Sequence, residues 1–299
     1  MLCWTSLRRV LRCSGSPRSP CGRDANFTGA GLINAAFKYN KSATETLMTL
    51  DMEGTLHFPV ATRRFASSLN LSLSSDDAMY NGNDRHYLSC GASALNAILA
   101  ALNITGGESP TRVLDFGAGA GRVTRWFRAA FPDAALDACD IRAADMEFCA
   151  SAFDAETWVS GTDIDSLKAP NFYDLIWLGS VATHLAADKT IDLLDKMLSW
   201  TTSHGLVVMS LHGRFALQRQ RSGEFTYIHD AAWEEIERGY SASGYGYADY
   251  EGQSGYGISV SKLSWITKVI EARPNARLVL LAETAWDSHH DVVAIQSTC

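Results

Sequence analysis

The chain has 299 residues, 46% of them hydrophobic and 20% charged, with a formal net charge of −7, a composition typical of folded globular proteins rather than disordered or fibrous ones. No apolar run approaches the roughly 20 residues of a membrane-spanning helix, and the body holds no long Lys/Arg cluster, so neither a membrane nor a nucleic-acid partner is expected. Seven scattered cysteines, an odd number with no CxxC pair, fit free thiols in a cytoplasmic protein better than a disulfide scaffold or a zinc site.

In chain order, residues 1–23 carry Arg8, Arg9, Arg12, Arg18 and Arg23 with no acid, and removing that +5 from the net −7 leaves −12. This basic segment reads as a disordered N-terminal extension, with an organelle transit segment as the alternative. No uninterrupted apolar stretch marks a secretory signal. Residues 24–84 form an accessory segment with little regular pattern. Within it 67–75 alternates like a short strand, and the Ser/Asp/Asn/Gly-rich stretch 74–84 reads as a linker.

From about residue 85 the pattern is regular. Residues 86–103 predict a helix with Leu95, Ile98, Leu99 and Leu102 on one face. Strands are predicted at 112–116, 135–140, 157–161, 172–180, 205–213, 276–286 and 291–297. Helices are expected at 122–131, 142–153, 188–200 and from a Ser261 cap to about Ala272. Repeated strand–helix units imply a mostly parallel sheet with helices on both faces. Only DSHH joins the last two strands. That is too short for a parallel crossover, so the final strand must be antiparallel.

VLDFGAGAGR (113–122) lies where the first of these strands turns into a helix. Gly117, Gly119 and Gly121 permit positive φ and close backbone approach to a ligand, and the following helix start offers unpaired amides. Asp115 precedes the loop and Asp140 ends the next strand, so both carboxylates reach one crevice at the strand ends. A dinucleotide fingerprint needs glycine at position 122, where Arg122 stands, and Asp115 would repel a pyrophosphate. A ligand bearing a cation and a ribose fits better. S-adenosyl-L-methionine is such a ligand: Asp115 attracts its ammonium, the loop amides take its carboxylate, and Asp140 holds its ribose.

DFGAGAG, with an acid at the end of the second strand, resembles the first two motifs of class I S-adenosylmethionine-dependent methyltransferases, over about residues 85–299. The resemblance implies an α/β, Rossmann-like, doubly wound seven-stranded sheet. It is mostly parallel, with a final antiparallel strand and an acceptor-side insertion (213–257) after strand five. It implies cofactor contacts from Ala118 and Ile141 beside the motif residues, and from Asp163 and Ile164 near the adenine. Gly179 and Ser180 would lie near the methionine end, approached also by Tyr87 and Gly91. RHYLSCGASAL, GSVATHL, LHGR, GYGYADYEGQSGYGIS and WDSHHDV are similar to a bacterial subgroup found beside carbohydrate or natural-product genes.

Methyl transfer needs a nucleophile aligned with the methyl carbon, and a hydroxyl or carboxyl acceptor can need a general base. His184 follows strand four, His212 ends strand five, and His289 and His290 lie in the last turn, all at one sheet edge. His184 or His212 is the expected base, with His289 next. A His/Asp metal site is conceivable because these groups could cluster, but no tight ligand motif supports one, so none is expected.

Residues 240–257, YSASGYGYADYEGQSGYG, hold five tyrosines and five glycines. Tyr245, Tyr247, Tyr250 and Tyr256 are expected to line a substrate wall or lid, since tyrosine offers both an apolar ring and a hydroxyl. The expected activity is methylation, on oxygen, of a small-molecule or glycan acceptor. The alternatives are another reaction of the same cofactor (aminopropyl transfer or cyclisation), a non-catalytic binding protein, and a nicotinamide dehydrogenase.

Overall fold

The computed structural model describes residues 45–298 except Gly107; the basic 1–23 segment lies outside the described residues. A short antiparallel pair, β1 (Glu45–Leu47) and β2 (Ser72–Ser74), brackets the helical turn α1 (Met52–Thr55). α2 (Asp84–Thr105) follows. Asn83 caps it by accepting from the His86 amide at 3.0 Å, and Gly106 closes it at φ 62°. Contrary to the expectation that no apolar run reaches spanning length, this helix is long and apolar enough to cross a membrane, yet ten of its residues are buried in the core. It is a core helix.

The alternating units come next: β3 (Arg112–Phe116), α3 (Thr124–Ala130), β4 (Ala135–Asp140), α4 (Ala143–Phe153), β5 (Glu156–Val159), β6 (Tyr173–Leu178), α5 (Ala187–Ser199) and β7 (Thr201–Leu211). An insertion then runs through α6 (Arg214–Arg221), α7 (Asp230–Ser243), β8 (Tyr245–Tyr250) and β9 (Gln253–Ser261). α8 (Leu263–Glu271), β10 (Ala276–Trp286) and β11 (His290–Ser297) complete the chain.

The seven-stranded sheet has the order β10-β11-β7-β6-β3-β4-β5. β11 is antiparallel to both neighbours, and the other pairings are parallel. This is the α/β, Rossmann-like architecture expected from the sequence. β6 (YDLIWL) and the Leu206–Met209 run of β7 are apolar toward both faces because helices cover both. One face packs Leu88, Leu95, Ile98, Trp126 and Phe153 from α2, α3 and α4, and the other packs Leu194, Met197, Ile266 and Ile270 from α5 and α8.

Three local expectations change. The stretch 74–84 is not a spacer: the Asp77 carboxylate accepts from the Met79 amide at 2.8 Å and from the buried Tyr87 hydroxyl. Asp, Asn and Gly build ordered side-chain-capped turns as readily as linkers. The segment before it also belongs to the main core, where Met48, Phe58, Ala66 and Leu73 are buried. Buried Arg125 clamps it by donating to the carbonyls of Asn70 (2.8 Å) and Ser72 (3.0 Å). Finally, Ser261 does not cap α8. It remains paired with Tyr245 in β9, and Lys262 occupies the cap position without a side-chain bond.

Candidate cofactor and acceptor site

A cleft opens at the C-terminal ends of β3, β4 and β6, where ligands bind in open α/β sheets. Asp115, Gly117, Ala118, Gly119, Asp140, Gly179, Ser180 and Tyr87 all line it. A larger but more open depression beside α6, lined by Arg214, Arg221 and Glu283, carries none of these strand-end groups.

The glycine loop is held from beneath. Gly117 and Ala118 donate their amides to the Cys139 carbonyl at 2.8 and 3.1 Å, and Gly119 donates to Asp140 Oδ2 at 2.9 Å. Gly121 donates to the Ala118 carbonyl at 3.1 Å. These four amides are therefore committed inside the loop, which corrects the expectation that they take a ligand's carboxylate. Gly117, Gly119 and Gly121 have φ of 77°, 52° and 78°, which only glycine adopts freely. A side chain at Gly117 would meet Val181 and one at Gly121 would meet Phe153, whereas at Gly119 it would project into open space. Gly121 thus serves helix packing outside the cleft, and Gly119 leaves the room a ligand needs.

Asp115 is 1% exposed and accepts from the Thr124 hydroxyl at 2.6 Å. Burial pushes its carboxyl up to about 7, helped by the charge of Asp140. Asp140 also accepts from the Arg142 amide at 3.2 Å. Its two oxygens are oriented by these backbone donors and keep further lone pairs for ribose hydroxyls.

Several other expected residues lie elsewhere. Gly91 is buried where α2 crosses α3, and a side chain there would strike the Trp126 ring and the Arg122 carbonyl; its role is close helix packing. Ile164 belongs to the hydrophobic core. Asp163 caps its own short turn, accepting from the Asp165 amide at 3.2 Å. Ile141 is 45% exposed just beyond β4, outside the cleft lining.

Sequence reasoning missed Arg122, Trp177, Trp286 and Asp77, which also line the cleft. In the sequence Arg122 signals only the absence of a fingerprint glycine. Among the described residues its guanidinium has no ion-pair or hydrogen-bond partner and lies over the Trp286 ring at 5.6 Å. It is the cationic group available for a ligand carboxylate. The Trp286 indole is fixed by donating to the Cys90 carbonyl at 3.1 Å.

On the acceptor side β9 clamps two histidines. His184 Nδ1 lies 2.8 Å from the Gly257 carbonyl and His212 Nδ1 lies 3.2 Å from the Ser259 carbonyl. A carbonyl accepts only, so both Nδ1 atoms carry the proton and both Nε2 atoms keep a lone pair. Tyr256 stacks on His184 at 4.9 Å, and Tyr250 lies 6.0 Å away. Burial, with the Asp140 charge nearby, pushes the Tyr256 phenol up to about 12. Burial likewise lowers His184 from the ordinary imidazole value.

Tyr245 is not a substrate contact. Its ring is buried against Trp265, and its hydroxyl donates to the Leu185 carbonyl at 2.7 Å. The Tyr247 hydroxyl is tied to Asp249. His289, His290 and His212 form a separate cluster of rings behind Trp286.

Residues 114–207 match the family model described as a methyltransferase domain. No curated protein matches the chain. Solved structures of similar fold include the N-methyltransferase NodS from Bradyrhizobium japonicum WM9 in complex with S-adenosyl-L-homocysteine (12% identity, TM-score 0.46, 80% of this chain and 99% of that one). Others are an S-adenosylmethionine-dependent methyltransferase from Clostridium acetobutylicum (12%, 0.49, 69% and 92%) and magnesium protoporphyrin IX methyltransferase from Synechocystis with bound S-adenosyl-L-homocysteine (13%, 0.47, 73% and 89%). By that match residues 114–207 carry a methyltransferase domain. The cleft's groups fit S-adenosylmethionine: buried Asp115 and unpaired Arg122 suit its ammonium and carboxylate, and Asp140 suits its ribose.

Proposed function

We propose that the protein methylates a hydroxyl oxygen of a small-molecule or glycan acceptor, with His184 as general base. S-adenosylmethionine supplies, when bound, a methyl carbon made electrophilic by its sulfonium. The chain's own residues do the rest. Asp115 and Arg122 hold the amino-acid end, Asp140 holds the ribose, and the Trp177 and Trp286 rings wall off water. His184 accepts the acceptor's hydroxyl proton on Nε2, while the Gly257 carbonyl keeps Nδ1–H and the ring plane fixed. Tyr250 and Tyr256 offer faces and hydroxyls to a ring-shaped acceptor.

The observation that carries this reading is the clamped tautomer of His184, which has no Nε2 partner among the described residues and stands beside two partly exposed tyrosines. A screen of hydroxylated sugars, glycosides and phenols, detecting S-adenosylhomocysteine release, identifies the acceptor. With that acceptor, His184→Gln should lower kcat by about 10²- to 10⁴-fold and leave S-adenosylhomocysteine affinity within about twofold. Unchanged turnover removes His184 as the base. Turnover only with amine acceptors overturns oxygen as the target.

A further inference from the structure

We propose that His212, His289 and His290 form a binding site for a first-row transition-metal ion, with zinc, cobalt(II) or nickel(II) as the chemical class. His212 follows β7, His289 lies in the β10–β11 turn, and His290 opens β11. Their ring centroids lie 5.3 Å (His212–His289), 4.7 Å (His212–His290) and 4.7 Å (His289–His290) apart. One ligating nitrogen from each lies within 4.8 Å of the others. Zinc–nitrogen bonds of about 2.0–2.1 Å require these atoms to draw inward on binding.

Three features favour a cation here over simple packing. First, His212 donates Nδ1–H to the Ser259 carbonyl, the outer contact that fixes a ligating imidazole and directs its other nitrogen to a metal. Second, His290 Nδ1 is buried and has no hydrogen-bond partner. A buried unpartnered nitrogen is costly and calls for a ligand. Third, no hydrogen bond joins any two of the three rings.

The surroundings define what must move. Arg219 Nη1 lies 2.8 Å from His289 Nδ1, and the Tyr227 hydroxyl lies 3.0 Å from His289 Nε2. Metal binding through His289 displaces Arg219 from the ring, and the guanidinium keeps its pairing with Glu224, made at 3.0 Å through Nε. The adjacent Asp291 carboxylate does not compete, since it accepts from the Thr284 amide at 3.0 Å. Three imidazoles suit late first-row dications, and three protein ligands leave a coordination position open, as in catalytic rather than structural zinc sites. The cluster is one ring from the cofactor cleft, because Trp286 contacts His290 at 4.7 Å and lines the cleft. The open position would carry water or an acceptor oxygen. That role rests on the methyl-transfer reading; the binding itself does not.

The test uses the full chain, freed of metal by chelator dialysis and titrated with cobalt(II) alone. Expected is uptake of one equivalent, with the intense visible absorption of a nitrogen-ligated four- or five-coordinate ion, displaced by zinc. His289→Ala and His290→Ala should each weaken uptake at least tenfold while still showing a thermal shift with S-adenosylhomocysteine, which proves them folded. No saturable cobalt uptake by the unsubstituted protein overturns the proposal. So does equal uptake by the two variants. Neither outcome bears on whether the cleft binds its cofactor.

Discussion

At the residue scale, the site's chemistry is set by which groups are buried and which partners they keep. Asp115 is the clearest case. Burial raises its carboxyl to about 7, so below that pH the group is mostly neutral and above it anionic. A cationic ligand binds the anion better, so affinity for S-adenosylmethionine should rise as pH increases through 7, with proton release on binding. Calorimetry from pH 6 to 8, in buffers of different ionisation enthalpy, checks this. Asp115→Asn should flatten the profile, and a flat profile in the unsubstituted protein would remove Asp115 from the ligand's charge balance. His184 gives the opposite check on kcat. Its imidazole sits below the usual value, so the acid limb of kcat should fall below pH 6.5, with a plateau at neutral pH. The Asp115, loop-glycine and Asp140 constellation was legible in the sequence because strand-end acids and glycines follow from topology. Arg122 was not: its meaning depends on having no partner and on the Trp286 ring beneath it, neither of which spacing reveals.

At the element scale, the insertion changes most between sequence and structure. The Tyr/Gly stretch suggested a lid of freely offered rings. It is instead a hairpin, β8–β9, with its own small core of Ile236, Ala248, Ile258 and Val260 beneath α7. Its glycines serve packing as well as turns. A side chain at Gly246 would run into the Ile236 backbone, and one at Gly257 would run into that of Ala248. Gly246→Ala should therefore push α7 off the hairpin, costing about 1–3 kcal/mol. Through β9 it should also loosen the clamp on His184 and His212. A lowered Tm together with reduced kcat is expected, and an unchanged melt would show that α7 and the hairpin adapt without strain. The tyrosines divide by position along the strand: Tyr245 points into the domain, whereas Tyr250 and Tyr256 meet His184. Period-two alternation would have suggested such a split, but the stretch reads as low-complexity until its hairpin register is known.

At the scale of the whole molecule, the sheet order gathers groups from widely separated segments into one edge. Strands β3, β4 and β6 supply the cofactor cleft, while the segments after β6 and β7 and the β10–β11 connection supply the histidines, two of them clamped by β9. This architecture was readable from the strand–helix alternation and the short DSHH turn. The N-terminal segment was not, because its burial depends on Arg125 and on apolar residues with no period. The central claim is that the β3–β4–β6 cleft binds S-adenosylmethionine with Asp140 on the ribose. Isothermal titration of the protein and of Asp140→Ala with S-adenosylhomocysteine tests it most directly. The account predicts one saturable site per chain, weakened about tenfold or more by the substitution, as expected for hydrogen bonds to a charged group of about 1.5–3 kcal/mol. No saturable heat in the unsubstituted protein, or equal affinity in the two, would contradict it.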